Sequence, residues 1–152
     1  MATTNAIKAP FVDGQLTVET KDVTDASSPL PLTTFTTTIL DYSFDVFGKG
    51  FRITYFKDKG SSSSRNISFF FFDDEDRVNI SYMETVTTEQ GTRPYDYEVI
   101  DSSSTIERIN ITPTKQRYAI TEFKVLAKSR ISNETREITG RGHLFINDLT
   151  LG

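Results

Sequence analysis

The sequence predicts an all-β fold, an antiparallel β-sandwich or β-barrel of roughly nine or ten strands with little or no helix. Three observations lead there. Short runs of β-branched and aromatic residues alternate with polar ones, the two-residue period of a half-buried strand. Turn chemistry punctuates those runs. No segment sustains a 3.6-residue apolar period, so at most one short helical turn is expected. Alternation looks the same in a sandwich and a barrel, so both stay open.

The elements follow in order. Asp13-Gly14 is a hairpin-type turn signal, and Leu16 and Val18 alternate after it. Pro29 and Pro31 mark a connector, so residues 1–32 read as an N-terminal hairpin or arm whose first 23 residues are loosely tied to the rest. Phe35, Thr37 and Ile39 share one parity, whereas Tyr42, Phe44 and Val46 share the other. A strand cannot change its buried face, so this phase change requires a bulge or two strands meeting near Leu40–Asp41. Gly48-Lys49-Gly50 turns the chain into a strand carrying Phe51, Ile53 and Tyr55.

After a polar loop at 57–65 comes Ile67-Ser68-Phe69-Phe70-Phe71-Phe72, apolar on both parities, which predicts a strand covered on both faces. Asp73–Asp76 ends it at a solvated turn, and Val78, Ile80 and Tyr82 alternate in the next strand. Residues 84–94 read as a longer loop with Gly91 and Pro94. Tyr95, Tyr97 and Val99 point inward in the strand that follows, residues 101–105 form another loop, and Ile109 and Ile111 share a face. Two strands flanking a polar connection at 128–134 make a long hairpin. Gly140 and Gly142 there predict a bulge or a close backbone approach.

At 152 residues the chain fits a single domain, 1–152. A domain of that size buries about 68–70% of its unfolded-chain surface, enough for a core without disulfides. With twelve Phe, six Tyr and no Trp, aromatic rings supply the main packing volume. The absence of Cys removes thiol nucleophiles and thiolate metal sites from consideration.

A formal net charge of −4 lacks the basic footprint of a nucleic-acid binder. Residues 1–14 show no apolar signal-peptide core and no run is long enough for a membrane helix, so neither a leader nor membrane insertion is expected. A virion or extracellular-surface location stays open.

Charge is unevenly spread. Residues 66–101 hold nine acidic and two basic side chains, a net of −7, and residues 106–143 hold eight basic and four acidic, a net of +4. One reading pairs these charges across adjacent strands; the other makes two opposed faces that meet on neighbouring copies.

No catalytic constellation stands out. His143 is the only histidine and no Gly-x-Ser-x-Gly motif accompanies it, which leaves a surface or strand-edge role. Asp73–Asp76 lacks the spacing and glycine of a calcium loop. Asp41 with Asp45, and Asp96 with Glu98, are carboxylate pairs of the kind any alternating strand produces. Four Asn-x-Ser/Thr sequons, at Asn66, Asn79, Asn110 and Asn133, fall where a β protein rich in Ser and Thr puts them. No cofactor and no metal site are expected.

The function these features favour is non-enzymatic: a structural or interaction protein, a subunit of a homomeric assembly of virion, tail or surface type. Its expected self-association residues are Phe70, Phe72, Asp73, Asp74 and Asp76, meeting basic side chains such as Lys124 and Arg136. The alternative is a ligand-binding sandwich or barrel for a small apolar molecule or a glycan, with Arg93, Tyr95 and Tyr97 as an aromatic platform.

Overall fold

The two-residue alternation folds into nine antiparallel strands in one strongly curled, half-barrel sheet, and no helix occurs among the described residues. The computed structural model describes residues 10–25, 27–45, 48–59, 64–73, 77–88 and 91–147, except for the side chains of 86–88 and 92–96. The strands are β1 (Phe11–Asp22), β2 (Leu30–Thr37), β3 (Leu40–Phe44), β4 (Gly50–Lys57), β5 (Arg65–Phe72), β6 (Val78–Thr88), β7 (Gly91–Thr112), β8 (Lys115–Ser129) and β9 (Thr135–Asn147). Their order across the sheet is β2-β1-β9-β8-β7-β6-β5-β4-β3.

Contacts between strands that are not sheet neighbours record the curl. Phe69 of β5 meets Phe123 of β8 edge-to-face, with centroids 5.4 Å apart, and Phe71 meets Tyr118 at 4.8 Å. The Tyr55 hydroxyl of β4 donates to the His143 carbonyl of β9 at 3.0 Å. Leu16, Val18, Ile53, Ile67, Ile120, Ile138 and Leu144 are fully buried around these rings. Burying such a side chain is worth about 1.5–3 kcal/mol, so this interior column is the main source of stability.

The phase change near Leu40 is resolved as two strands. β2 and β3 are consecutive in the chain but lie at opposite edges of the sheet. The crossing between them is pinned to β4: Phe56 N–H donates to the Ile39 carbonyl at 2.9 Å, and the Thr37 hydroxyl donates to the Phe56 carbonyl at 2.6 Å. Pro31 sits in β2, an edge strand, beside a register shift at Thr20/Lys21 of β1, the kind of sheet position to which proline is confined.

Three sequence expectations are corrected. Asp13-Gly14 is not a turn: both residues lie within β1, opposite Phe145 and Leu144, and a side chain at Gly14 would collide with the His143 carbonyl. Consequently β1 is not loosely tied; it is paired along its length with β9 and buries Leu16 and Val18. The stretches 84–94 and 101–105 are mostly strand, because β6 and β7 form one hairpin and β7 continues to Thr112. The β6 partners of Gly91–Tyr97 and the β8 partners of Ser102–Thr105 hold this turn-prone sequence extended, so pairing overrides local preference.

At Gly140 and Gly142 the close approach is found. Substituents there would strike the Thr17 and Gln15 carbonyls of β1, and opposite them Thr121 and Glu122 bulge from β8.

Candidate functional site

The two ends of the half-barrel differ in chemistry. At one end, residues from β3, β4, β5, β8 and β9 frame a cavity of ≈ 380 Å³ walled by Tyr42, Phe44, Phe51, Phe72, Tyr118 and Ile146. Cross-strand register builds the wall, since Phe51 pairs with both Phe44 and Phe71. The rings are continuous: Tyr42 stacks on Phe51 at 5.6 Å, Phe51 on Phe71 at 5.0 Å, and Phe71 leans on Tyr118.

Polar groups converge on the same space from Arg108, Gln116, Asp73 and Asp45. Arg108 places its guanidinium 5.8 Å from the Tyr118 ring centroid. The Tyr118 hydroxyl donates to Gln116 Oε1 at 2.9 Å. Burial pushes the Tyr118 phenol above its ordinary pKa; Arg108 opposes the shift and Asp73 adds to it. The phenol therefore acts as a neutral donor.

The opposite end is ionic. Glu84 continues the inward series Val78, Ile80 and Tyr82, which carries its carboxylate into the interior. There it accepts from Arg65 Nη1 at 2.9 Å, the Tyr82 hydroxyl at 2.6 Å, the Tyr97 hydroxyl at 3.0 Å and Arg136 Nε at 3.3 Å. Arg136 also faces Asp22 and Glu134, each at 3.3 Å. Burial pulls the Arg136 pKa down, but Glu84, Tyr97, Asp22 and Glu134 outweigh it and leave it raised. Tyr82 and Tyr97 are both raised, by burial first and by Glu84 second. This network satisfies its own charges and joins β1, β5, β6, β7 and β9.

A third feature is an unpaired strand edge. In β7, Gly91–Tyr97 pair with β6, and Tyr97 onward pair with β8; Tyr97 alone has partners on both sides. From Glu98 to Thr112, the β7 edge away from β8 has no strand partner among the described residues. Ile100, Ile109 and Ile111 on this limb are 56, 41 and 47% exposed. Where β7 leaves β6, a groove of ≈ 410 Å³ opens, lined by Arg52, Ser68, Phe70, Asn79, Val99 and Ser102.

The sequence-predicted residues are distributed among these features. Phe70 and Phe72 are half-buried on the face of β5 opposite Phe69 and Phe71, and contact each other at 4.8 Å. Phe70 lines the groove and Phe72 the cavity, with Arg77 stacked 4.3 Å from the Phe72 ring. Asp73 is exposed at the cavity rim; Asp74 and Asp76 lie outside the described residues.

Lys124 stays on the surface beside Glu137 at 3.8 Å. Arg136 is only 7% exposed, so its guanidinium belongs to the interior network rather than to an outer basic face. Tyr97 is likewise buried against Glu84, not part of a solvent-facing glycan platform; the Arg93 and Tyr95 side chains lie outside the described residues. The segment charges therefore meet inside one chain at Glu84–Arg136, and Glu98 opposes Lys128 across β7–β8.

His143 is exposed on β9, and Asp41 is paired with Lys59 at 2.7 Å. Among the described residues no group of three or more His, Asp or Glu side chains could hold a metal ion, and no helix is long and apolar enough to cross a membrane. Sequence reasoning missed Glu84, although the alternation through Val78, Ile80 and Tyr82 points to it. It also missed Arg108, Gln116 and Tyr118, whose meeting with Tyr42 and Phe51 depends on the curl of the sheet and leaves no local signal. No protein-family model, no curated protein and no solved structure matches the chain.

Proposed function

We propose that this is a non-enzymatic interaction protein that self-associates through the free edge of β7. The observation that carries the reading is the Glu98–Thr112 limb, paired on one side only among the described residues and bearing three exposed isoleucines. An exposed strand edge is a template for another strand. Two copies of one edge, run antiparallel about a two-fold axis, supply each other's backbone donors and acceptors. The adjoining groove gives the incoming strand a mixed surface beside the edge, with Phe70 and Val99 among polar side chains such as Ser68, Asn79 and Ser102. For the architecture, an open barrel fits better than two separate sheets, because β7 and the β2–β3 crossing make the sheet continuous on both sides.

The test is absolute mass by light scattering after size exclusion, over a range of concentration and salt, on the wild type and on an Ile109→Lys/Ile111→Lys double variant. Defined oligomers that fall to monomer in the variant, but persist in Ile131→Lys in the β8–β9 turn, support edge pairing. A wild type monomeric at every concentration overturns it.

A second reading is favoured by the aromatic cavity at the open end: a site for a small ligand. Its volume falls within the range of small-molecule sites, and apolar walls with a few convergent polar groups are their usual construction. Amide NMR shifts confined to the cavity on addition of a ligand panel would support it; a panel that moves nothing there would remove it.

A further inference from the structure

Resting on that second reading, we propose that the open-end cavity binds a neutral polyhydroxylated ring, the sugar unit of a glycan, between the exposed ring of Phe44, backed by the stacked Tyr42 and Phe51, and the polar groups of Arg108, Gln116 and Asp73. Charge decides against the other classes. A cationic ligand would suit the rings and the carboxylates of Asp45 and Asp73, but meets the Arg108 guanidinium. An anionic ligand would suit Arg108, but meets the two carboxylates. A purely apolar ligand would strip water from Arg108, Asp73 and Gln116 without replacing those hydrogen bonds.

A neutral ring with hydroxyls satisfies all of them. Each hydroxyl both donates and accepts, so one ring can accept from Arg108 and donate to Asp73 while Gln116 does either. Its C–H face rests on aromatic rings, and Phe44, 53% exposed at the mouth, offers such a face. Asp45 is the least available carboxylate, since its Oδ2 accepts the Lys49 N–H at 3.2 Å in the β3–β4 turn. Asp73, by contrast, is exposed at the end of β5. The cavity admits one ring with its substituents and opens to solvent at Phe44, so a longer chain would continue outward from it.

The test is amide NMR titration of the full chain with five probes: glucose, galactose, glucosamine as the cation, glucuronate as the anion, and cyclohexanol as the apolar ring. The expected result is that a neutral sugar shifts the amides of Gly50, Phe51 and Thr114 and binds more tightly than the charged and apolar probes. Phe44→Ala and Arg108→Gln should each weaken that binding about fivefold, while Ile131→Ala leaves it unchanged. Tighter binding of cyclohexanol, glucosamine or glucuronate at these amides overturns the sugar assignment but keeps the cavity as a ligand site. No shift with any probe overturns both. Sugar shifts that survive unchanged in both variants also overturn the assignment, since binding would then lie elsewhere.

Discussion

The Arg136 end of the half-barrel and its Tyr118 end share strands β5, β7 and β9, yet one is closed by charge and the other lined by rings. β5 enters the ionic network at Arg65 and leaves the aromatic wall at Phe72; β9 runs from Arg136 to Ile146 between the same two environments. At the ionic end every partner is specified, because a buried charge is tolerated only with its hydrogen bonds made. At the aromatic end the walls are apolar and the polar groups face open space, so the structure tolerates an unfilled volume there. Tightly partnered charge and open volume are thus separated along a single curled sheet.

The largest expected effect comes from breaking the ionic end. Glu84→Leu leaves Arg65 and Arg136 without their shared carboxylate and the Tyr82 and Tyr97 hydroxyls without their acceptor, with only Arg65 still donating to Tyr82 at 2.9 Å. Removing one side of a buried charge network costs about 3–5 kcal/mol, which urea denaturation should report as a large drop in midpoint. Asp22 and Glu134 remain near Arg136 and soften the loss. The double variant Glu84→Leu/Arg136→Leu should therefore cost less than the sum of the two single variants; strict additivity would mean that the two side chains do not act as a unit.

Alkaline pH tests both ends together. Tyr55, Tyr82, Tyr97 and Tyr118 all have phenols raised above the ordinary 10.0, with burial the largest cause for each. A raised folded pKa means the unfolded chain releases its proton first. This contribution to stability is complete below 10.0 and is lost as pH rises beyond it. Tyrosinate absorbance from these four rings should appear in one cooperative step with the loss of the β-sheet circular dichroism signal. Gradual ionisation inside an intact fold would show that the rings are more open than the structure has them.

A subtler contrast is available at Tyr118. Tyr118→Phe keeps the ring that packs on Phe71 and removes only the hydroxyl that donates to Gln116. The expected cost is about 0.5–1.5 kcal/mol, well below that of Glu84→Leu, because the Gln116 acceptor at the half-open end can turn to water. A loss as large as the Glu84 one would mean that the open end is as tightly specified as the ionic end.

Much of this arrangement was legible in the sequence, and the failures have physical causes. The period-2 pattern gave the strand class, and the parity break between Ile39 and Tyr42 located the crossing from one sheet edge to the other. Four consecutive phenylalanines implied two covered faces, and Phe70 and Phe72 do occupy a second, half-buried face. The β7 strand was hidden because Gly91, Pro94 and Ser102–Ser104 carry turn chemistry; only the partner strands hold them extended. Gly14 misled in the same way, being required by the His143 carbonyl from β9 rather than by a turn. Arg136 and Glu84 lie 52 positions apart, and their pairing reflects the curl, which no local pattern encodes.

The smallest expected stability effect separates folding from binding most cleanly. Phe44 is mostly exposed, and its chief ring contact is an edge-to-face approach to Tyr42 at 5.4 Å. Phe44→Ala should change stability by no more than about 0.5 kcal/mol. Phe51→Ala, by contrast, removes a ring held between Tyr42 and Phe71 and should cost about 2 kcal/mol. If the mouth of the cavity exists to hold a ligand, these positions divide the work: Phe51 supports the wall and Phe44 meets what enters. Thermal melts of the two variants should then differ clearly in midpoint without ligand, while sugar affinity should fall in Phe44→Ala although its fold is untouched. A Phe44→Ala protein as destabilised as Phe51→Ala would place Phe44 in the packing of the wall, and the open end would have no ring reserved for an incoming ligand.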